Sequence, residues 1–184
     1  DYLDPKPATW PEADFIVGNP PFIGPAKMRE ALGDGYAEAL RKAYKGVVAD
    51  SADFVMYWWY KAARILDEGV TERFGFITTN SITRAFNRRV VQSFIDEKEP
   101  VSITYAIPDH PWVDSADGAA VRIAMTVAEK GKHSGRLNLI KEEKETGNLE
   151  IEVIFNEKNG NIKANLTIGA ALIASHTLYT NLTI

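Results

Sequence analysis

Cysteine is absent from the 184 residues, which excludes a disulfide framework, thiolate metal sites and thiol nucleophiles. Histidine occurs three times, as His110, His133 and His176, widely separated and without an acidic neighbour at metal-ligand spacing, so no metal centre is expected. No apolar run reaches the length of a membrane helix, and the opening DYLDPKPATWPEAD lacks the basic and apolar regions of a signal peptide. A cytoplasmic protein without a membrane partner is therefore expected. Charge of one sign is not in excess, since a net charge of −4 exerts no broad pull on nucleic acid, although it leaves room for a local basic patch. Carboxylates do not cluster, and no set of nucleophile, base and orienting group is visible, which argues against a nuclease or hydrolase. Also missing is a G-x-G-x-x-G turn, the usual opening of a doubly wound sheet and the part of it that holds a cofactor.

What is present is the composition of an ordinary folded domain, 45% hydrophobic and 10% aromatic, in a length suited to one core. Residues 1–13 are rich in Pro and Asp without a period and read as a lead-in coil. DFIVG then fits a short central parallel strand buried on both faces. Pro25 opens a short helix through Leu32, and a further helix over 36–48 would place Tyr36, Leu40, Ala43 and Val47 on one face. A third helix, capped by Asp50 and ended at Gly69, repeats Val55, Trp58, Trp59, Ala62, Ile65 and Leu66. That spacing favours packing over ligand stacking for the two tryptophans. A second strand spans 74–79 and ends in the polar Thr79, Asn80 and Ser81, where open α/β sheets place ligands. The helix over 84–94 turns Phe86, Val90, Val91 and Phe94 inward and Arg84, Arg88 and Arg89 outward. VSITYAI and AAVRIAMTVA are strands joined by PDHPWVDSADG, too short for a crossover helix, so they are expected to be antiparallel neighbours. Beyond residue 130, RLNLI and LEIEVIF suggest a smaller, more exposed sheet, with KEEKETG as a connecting charge run and NEKNGN as a hairpin-like turn. From Ala164 onward the pattern is weak and linker-like.

The segment V-G-N-P-P-F carries the chemistry. Asn19 offers an amide donor and a carbonyl acceptor. Pro20 and Pro21 remove two backbone donors and stiffen the turn, leaving the carbonyls of Asn19 and Pro20 free to receive an amino group. Phe22 sets an aromatic face beside them on which a planar base can stack. Such a site holds an exocyclic amine between two oxygens and aims its lone pair at an electrophile, a gain in orientation rather than in basicity. The plainer alternative is a rigid turn with Phe22 in the core.

DFIVGNPPF closely resembles the catalytic motif of the S-adenosylmethionine-dependent amino-methyltransferases, above all the DNA adenine-N6 methyltransferases. WPEADFIVGNPPFIG, ADFVMYWWYKAARIL, RFGFITTNSITRAFNRR and HPWVDSADGAAVRIAMTVA are similar, in that order, to the large restriction-modification proteins that join methyltransferase and endonuclease in one chain. IKANLTIGA weakly resembles the spacer before their target-recognition domain. The resemblance implies that Asn19 and Pro20 receive the target amine, with Pro21 shaping the turn, and that Phe22 stacks on an adenine flipped out of double-stranded DNA. It implies S-adenosyl-L-methionine as cofactor. It also puts Asn80 at the cleft, Trp112 against the flipped base and Asp53 at a cleft-facing helix start. Each of these has a plainer reading: a helix cap for Asn80, sheet-edge packing for Trp112, a helix-terminal aspartate for Asp53. Lys27, Arg29, Arg84, Arg88 and Arg89 reach DNA phosphate if their helices flank the cleft, and are solvated helix faces otherwise.

The resulting expectation is an α/β fold: the C-terminal half of a Rossmann-like methyltransferase sheet, with a reversed strand near its edge, followed by a small β-rich extension. Residues 1–13 are lead-in coil, 14–130 a partial catalytic domain, and 131–184 an extension and spacer. The family's glycine-rich loop and ribose-binding acid have no counterpart in this sequence. The chain is therefore expected to be an internal part of a larger polypeptide, inactive alone, with a sheet edge open to pairing with another copy. Methylation of a protein glutamine or of RNA adenine, and a non-catalytic DNA-binding scaffold, stay open as alternatives.

Overall fold

A computed structural model describes residues 4–113, 120–146 and 150–169. Six strands, β1 (Phe15–Gly18), β2 (Arg73–Thr79), β3 (Val101–Val113), β4 (Ala120–Lys130), β5 (Gly135–Thr146) and β6 (Glu150–Gly160), form one mixed sheet in the order β1-β2-β4-β3-β5-β6. The helices are α1 (Met28–Leu32), α2 (Asp34–Ala43), α3 (Val55–Asp67) and α4 (Ala85–Ile95), with 3-10 turns at Pro25–Lys27 and Asn80–Thr83. β1 runs parallel to β2, while β4 runs against both β2 and β3. The antiparallel pairing expected on either side of residues 114–119 is thus present, and β4 is the reversed strand.

Of the residues α3 buries, Val55, Met56, Trp59, Ala62, Ala63 and Leu66 recur at i, i+3 and i+4, which lays one face along the sheet, and Tyr57 is buried beside them against Tyr44. Gly69 at φ 75° ends the segment in a backbone conformation that a side chain disfavours. Trp59 is fully buried and meets Phe74 of β2 edge to face at 5.2 Å and Phe94 of α4 at 6.0 Å. Opposite them β4 presents Ala124, Thr126 and Ala128, all buried, whose small side chains leave room for the aromatic rings. The larger members of that alternation, Met125 and Val127, face the other way. There they line an open apolar groove of about 540 Å³ with Phe15, Val17, Ile77 and Tyr105.

Several expectations are corrected by packing. β1 is not buried on both faces: Phe15 is 58% and Val17 85% exposed, because the described strand pairs only with β2 and helices cover only one face. Asp50 does not cap α3, which starts five residues later; residues 49–52 close their own turn through the Ala52 N–H and the Ala49 carbonyl, 2.9 Å. Tyr36, Val47 and Phe86 are exposed rather than inward. Ala37 and Val48 take the buried places near the first two, and Asn87 takes the place beside Phe86. PDHPW is strand rather than connection: a register shift between Ile107 and His110 absorbs Pro108 and Asp109, and pairing resumes through Trp112 opposite Val121.

Downstream, β5 and β6 belong to the same sheet, joined to β3 at Tyr105 and Ala106, and do not form a separate smaller one. KEEKET is strand, as is NEKNG, so neither is the expected loop or hairpin turn. This ribbon is solvated on much of both faces, so its charges obey no burial pattern that the sequence could display. The link between β5 and β6 at residues 147–149, like the VDSADG connection over 114–119, lies outside the described residues. Ala164 and Leu166, expected to be linker-like, are instead buried in the core, as is Ile162 before them. The tail over 170–184 is likewise outside the described residues. Among the described residues no helix is long and apolar enough to cross a membrane.

Trp59→Ala is expected to lower unfolding free energy by about 3–5 kcal/mol. Trp59→Phe should cost much less, since it also removes an indole N–H that has no partner. Urea denaturation of the two variants checks both.

Candidate functional site

Pairing of Phe15 with Arg73 through Gly18 with Phe76 fixes the relative height of two parallel strands. Counting on in that register, Asn19 to Phe22 leave the sheet at the same end as Ile77 to Asn80. At this end Asn19 is exposed, Pro20 buried, Pro21 exposed and Phe22 half-buried. The buried proline anchors the turn while the side chain before it stays accessible. Neither the Asn19 side chain nor the Pro20 carbonyl accepts a hydrogen bond from a described residue. Both acceptors of this stiff turn are thus unengaged among the described residues, and the Asn19 side chain is exposed. The next residue is pinned, because the Ile23 carbonyl accepts from the Phe54 N–H at 2.8 Å.

Asn80 opens the 3-10 turn after β2 rather than capping α4, whose preceding residue is Arg84. Its Nδ2 donates to Asp109 Oδ1 at 3.2 Å, which orients the amide and leaves its oxygen unpaired. Arg122 Nε donates to the same Asp109 oxygen at 2.6 Å and Nη2 donates to Glu143 at 2.7 Å. Hydrogen bonds to Glu143 first, and to Asp109 second, hold the Arg122 guanidinium above its ordinary pKa. This run of polar contacts joins the end of β2 to β3, β4 and β5. All four side chains are partly solvated, so its contribution to stability is small.

Asp53 does not cap α3 with its side chain. Its Oδ2 instead accepts from Asn87 Nδ2 at 2.8 Å and from the Ser81 hydroxyl, and its backbone N–H donates to Asn87 Oδ1 at 2.9 Å. Ser81 also bonds the Thr79 hydroxyl. Asn87, only 4% exposed, was missed in the sequence reading. Its signal was an amide at position 87 on the same helical face as Val90, Val91 and Phe94, where a polar side chain needs a buried partner.

Trp112 lies on β3, 36% exposed, and no ring contact joins it to Phe22. Among the tryptophans after the motif, Trp59 is core as expected, whereas Trp58 is exposed on α3 and meets Trp10 at 5.6 Å rather than the sheet. Lys27 ends the 3-10 turn that follows the motif, and Arg84 directly follows the turn at Asn80. Both are exposed, and no ion pair engages them among the described residues. Arg29 is exposed with Glu38 at 3.5 Å. Arg88 and Arg89 are exposed on α4, and Arg89 lies over the Phe86 ring at 5.3 Å. The described residues contain no group of acidic or histidine side chains arranged to hold a metal ion.

Residues 2–141 match the model of the MmeI DNA-methyltransferase domain family. The type IIL restriction-modification enzyme MmeI, solved in complex with DNA, is similar at 27% identity and a TM-score of 0.60, over 87% of this chain and 20% of that chain. A modification subunit of a putative type I restriction enzyme from Vibrio vulnificus shares the fold at 16% identity and a TM-score of 0.50, over 74% of this chain and 27% of that one. The curated proteins gave no match. The chain thus spans about a fifth of the MmeI chain. The mixed α/β sheet agrees with a Rossmann-like methyltransferase fold. By the match over residues 2–141, the chain belongs to the MmeI DNA-methyltransferase domain family.

Proposed function

We propose that this chain supplies the amine-receiving half of a methyltransferase that moves a methyl group from S-adenosyl-L-methionine to N6 of an adenine flipped out of duplex DNA, within a restriction-modification polypeptide. The observation that carries the reading is the turn Asn19-Pro20-Pro21-Phe22 at the end of β1, with its unengaged acceptors and its half-buried ring. Asn19 Oδ1 and the Pro20 carbonyl accept the two hydrogens of the amine. This draws its lone pair out of conjugation with the ring and fixes its direction. Phe22 stacks on the base, and Trp112 closes on it from the β3 side. Lys27, Arg29, Arg84, Arg88 and Arg89 hold backbone phosphates beside the cleft.

The cofactor supplies the methyl group, but the described residues do not make a cradle for it. Among the described residues no strand pairs with β1 on its outer side, and the sequence has no glycine-rich turn. Methyl delivery is accordingly not assigned to residues of this chain. Residues 14–130 form part of the catalytic domain in this reading, as the C-terminal half of its sheet, and 131–184 an extension and spacer. DNA is favoured over RNA or a protein glutamine because the family match and the similar MmeI structure are of DNA enzymes. In the chain alone, the open β1 edge pairs with a second copy.

In the full-length polypeptide, Asn19→Ala is expected to lower methyl transfer by more than about tenfold while cofactor affinity is kept. Phe22→Ala should weaken binding to a duplex with a mismatched target adenine by about 1–3 kcal/mol. Near-normal turnover in the first, or unchanged affinity in the second, would remove the assigned roles. Calorimetric titration of S-adenosyl-L-methionine into this chain alone is expected to give no measurable heat, and micromolar binding would place the cofactor cradle here after all. Sedimentation should show concentration-dependent dimers that a Val17→Lys change disperses; a monomer at every concentration refutes pairing through β1.

A further inference from the structure

One buried side chain joins the two segments that leave the sheet at the cleft. Asn87 uses its whole amide: Oδ1 accepts the Asp53 N–H at 2.9 Å, while Nδ2 donates to Asp53 Oδ2 at 2.8 Å and to the Ser81 carbonyl at 3.0 Å. Asp53 is followed by Phe54, whose N–H holds the Ile23 carbonyl at 2.8 Å, immediately after Phe22. Ser81 follows Asn80 in the 3-10 turn that leaves β2. The path from Asn87 to the proline turn therefore crosses two hydrogen bonds and two peptide units. No side-chain cap holds the start of α3 otherwise. An asparagine in the first turn of a helix, turned onto its apolar face, is a poor choice for helix propensity or for burial. Complete pairing with Asp53 and Ser81 is what offsets that cost.

We propose that Asn87 is a positioning residue for the amine-receiving turn: it sets Asp53, and through Phe54 the backbone at Ile23, relative to Ser81 and the end of β2. The proposal rests on the functional reading of Asn19 to Phe22. An amine is aligned only if its two acceptors keep their separation and direction to within a fraction of an ångström, and such precision requires supporting residues that are themselves locked. Asn87 touches neither amine nor base. Its effect falls on the rate of transfer rather than on cofactor affinity.

Two measurements test this. In the chain itself, Asn87→Leu, close in volume but without polar atoms, is expected to speed amide hydrogen exchange at Asp53 and Phe54 by about tenfold or more, with the β3–β4 ladder unchanged. Unchanged exchange at Phe54 would overturn the clamp. In the full-length polypeptide, the same variant should lower kcat per folded molecule by more than about tenfold and leave the KM for S-adenosyl-L-methionine within about twofold. Asn87→Asp sets two carboxylates face to face and should be at least as damaging. Adding Asp53→Asn to it restores a donor opposite an acceptor and should recover a substantial part of kcat. A purely structural role predicts loss of folded protein with normal kcat in what remains, and absence of recovery in the exchanged pair; either result overturns the proposal. If the unaltered polypeptide transfers no methyl group to DNA, the functional reading fails and the positioning role with it, while hydrogen exchange still decides whether the clamp exists.

Discussion

The parallel pairing of β1 with β2 is the constraint on which the site depends. β1 is four residues long, yet its register with β2 decides that the proline turn and the polar end of β2 emerge side by side. A slip of one residue would send Ile16 to the open face and move Asn19 out of line with the segment that ends at Asn80. Two contacts at its start secure that register. The Asp14 carbonyl accepts from the Thr71 hydroxyl at 2.9 Å and from the Glu72 N–H at 2.9 Å. Packing completes the arrangement: Phe74 and Phe76 of β2 turn toward the helices, where Trp59 meets Phe74.

Around this end of the sheet, polar side chains are spent on position. Asn87, Asp53 and Ser81 tie the start of α3 to the end of β2, while Asp109 and Arg122 tie Asn80 to β4 and β5. The two groups differ in environment. The first is centred on a buried amide whose bonds must all be made, so breaking any one is costly. The second is bathed in solvent on one side, so it directs an amide more than it stabilises the fold. In contrast, Asn19 and the Pro20 carbonyl accept no hydrogen bond among the described residues, which is what the proposed role of receiving an amine requires.

Much of the architecture was legible in the sequence because burial imposes periodicity. The apolar repeat of α3 and the strand at Phe74 to Thr79 follow from contact with one core, whereas in β4 the small residues Ala124, Thr126 and Ala128 face that core and the larger Met125 and Val127 line the open groove. Legibility failed where burial does not constrain both sides of an element. RLNLI and LEIEVIF were legible as strands, but the charged continuations KEEKET and NEKNG looked like loop and turn because their cross-strand bonds leave no trace in composition. Ala164 and Leu166 looked like linker because each finds its core contact singly. Pro108 and Pro111 looked like the end of β3, since a bulge that tolerates them is a property of the pair of strands and not of either one.

The sequence by itself determined the chemistry of the turn. Two prolines after an asparagine remove donors and freedom whatever surrounds them, and an aromatic residue next to them adds a flat apolar surface; these are covalent facts. Tertiary structure alone decided which distant residues support that turn. Asp53 and Asn87 are 34 positions apart, and only the packing of α3 and α4 on one face of the sheet makes them partners. Tertiary structure likewise decided that Phe15 and Val17 stand exposed. Whether an apolar residue is buried depends on what lies across from it, and local sequence does not encode that neighbour.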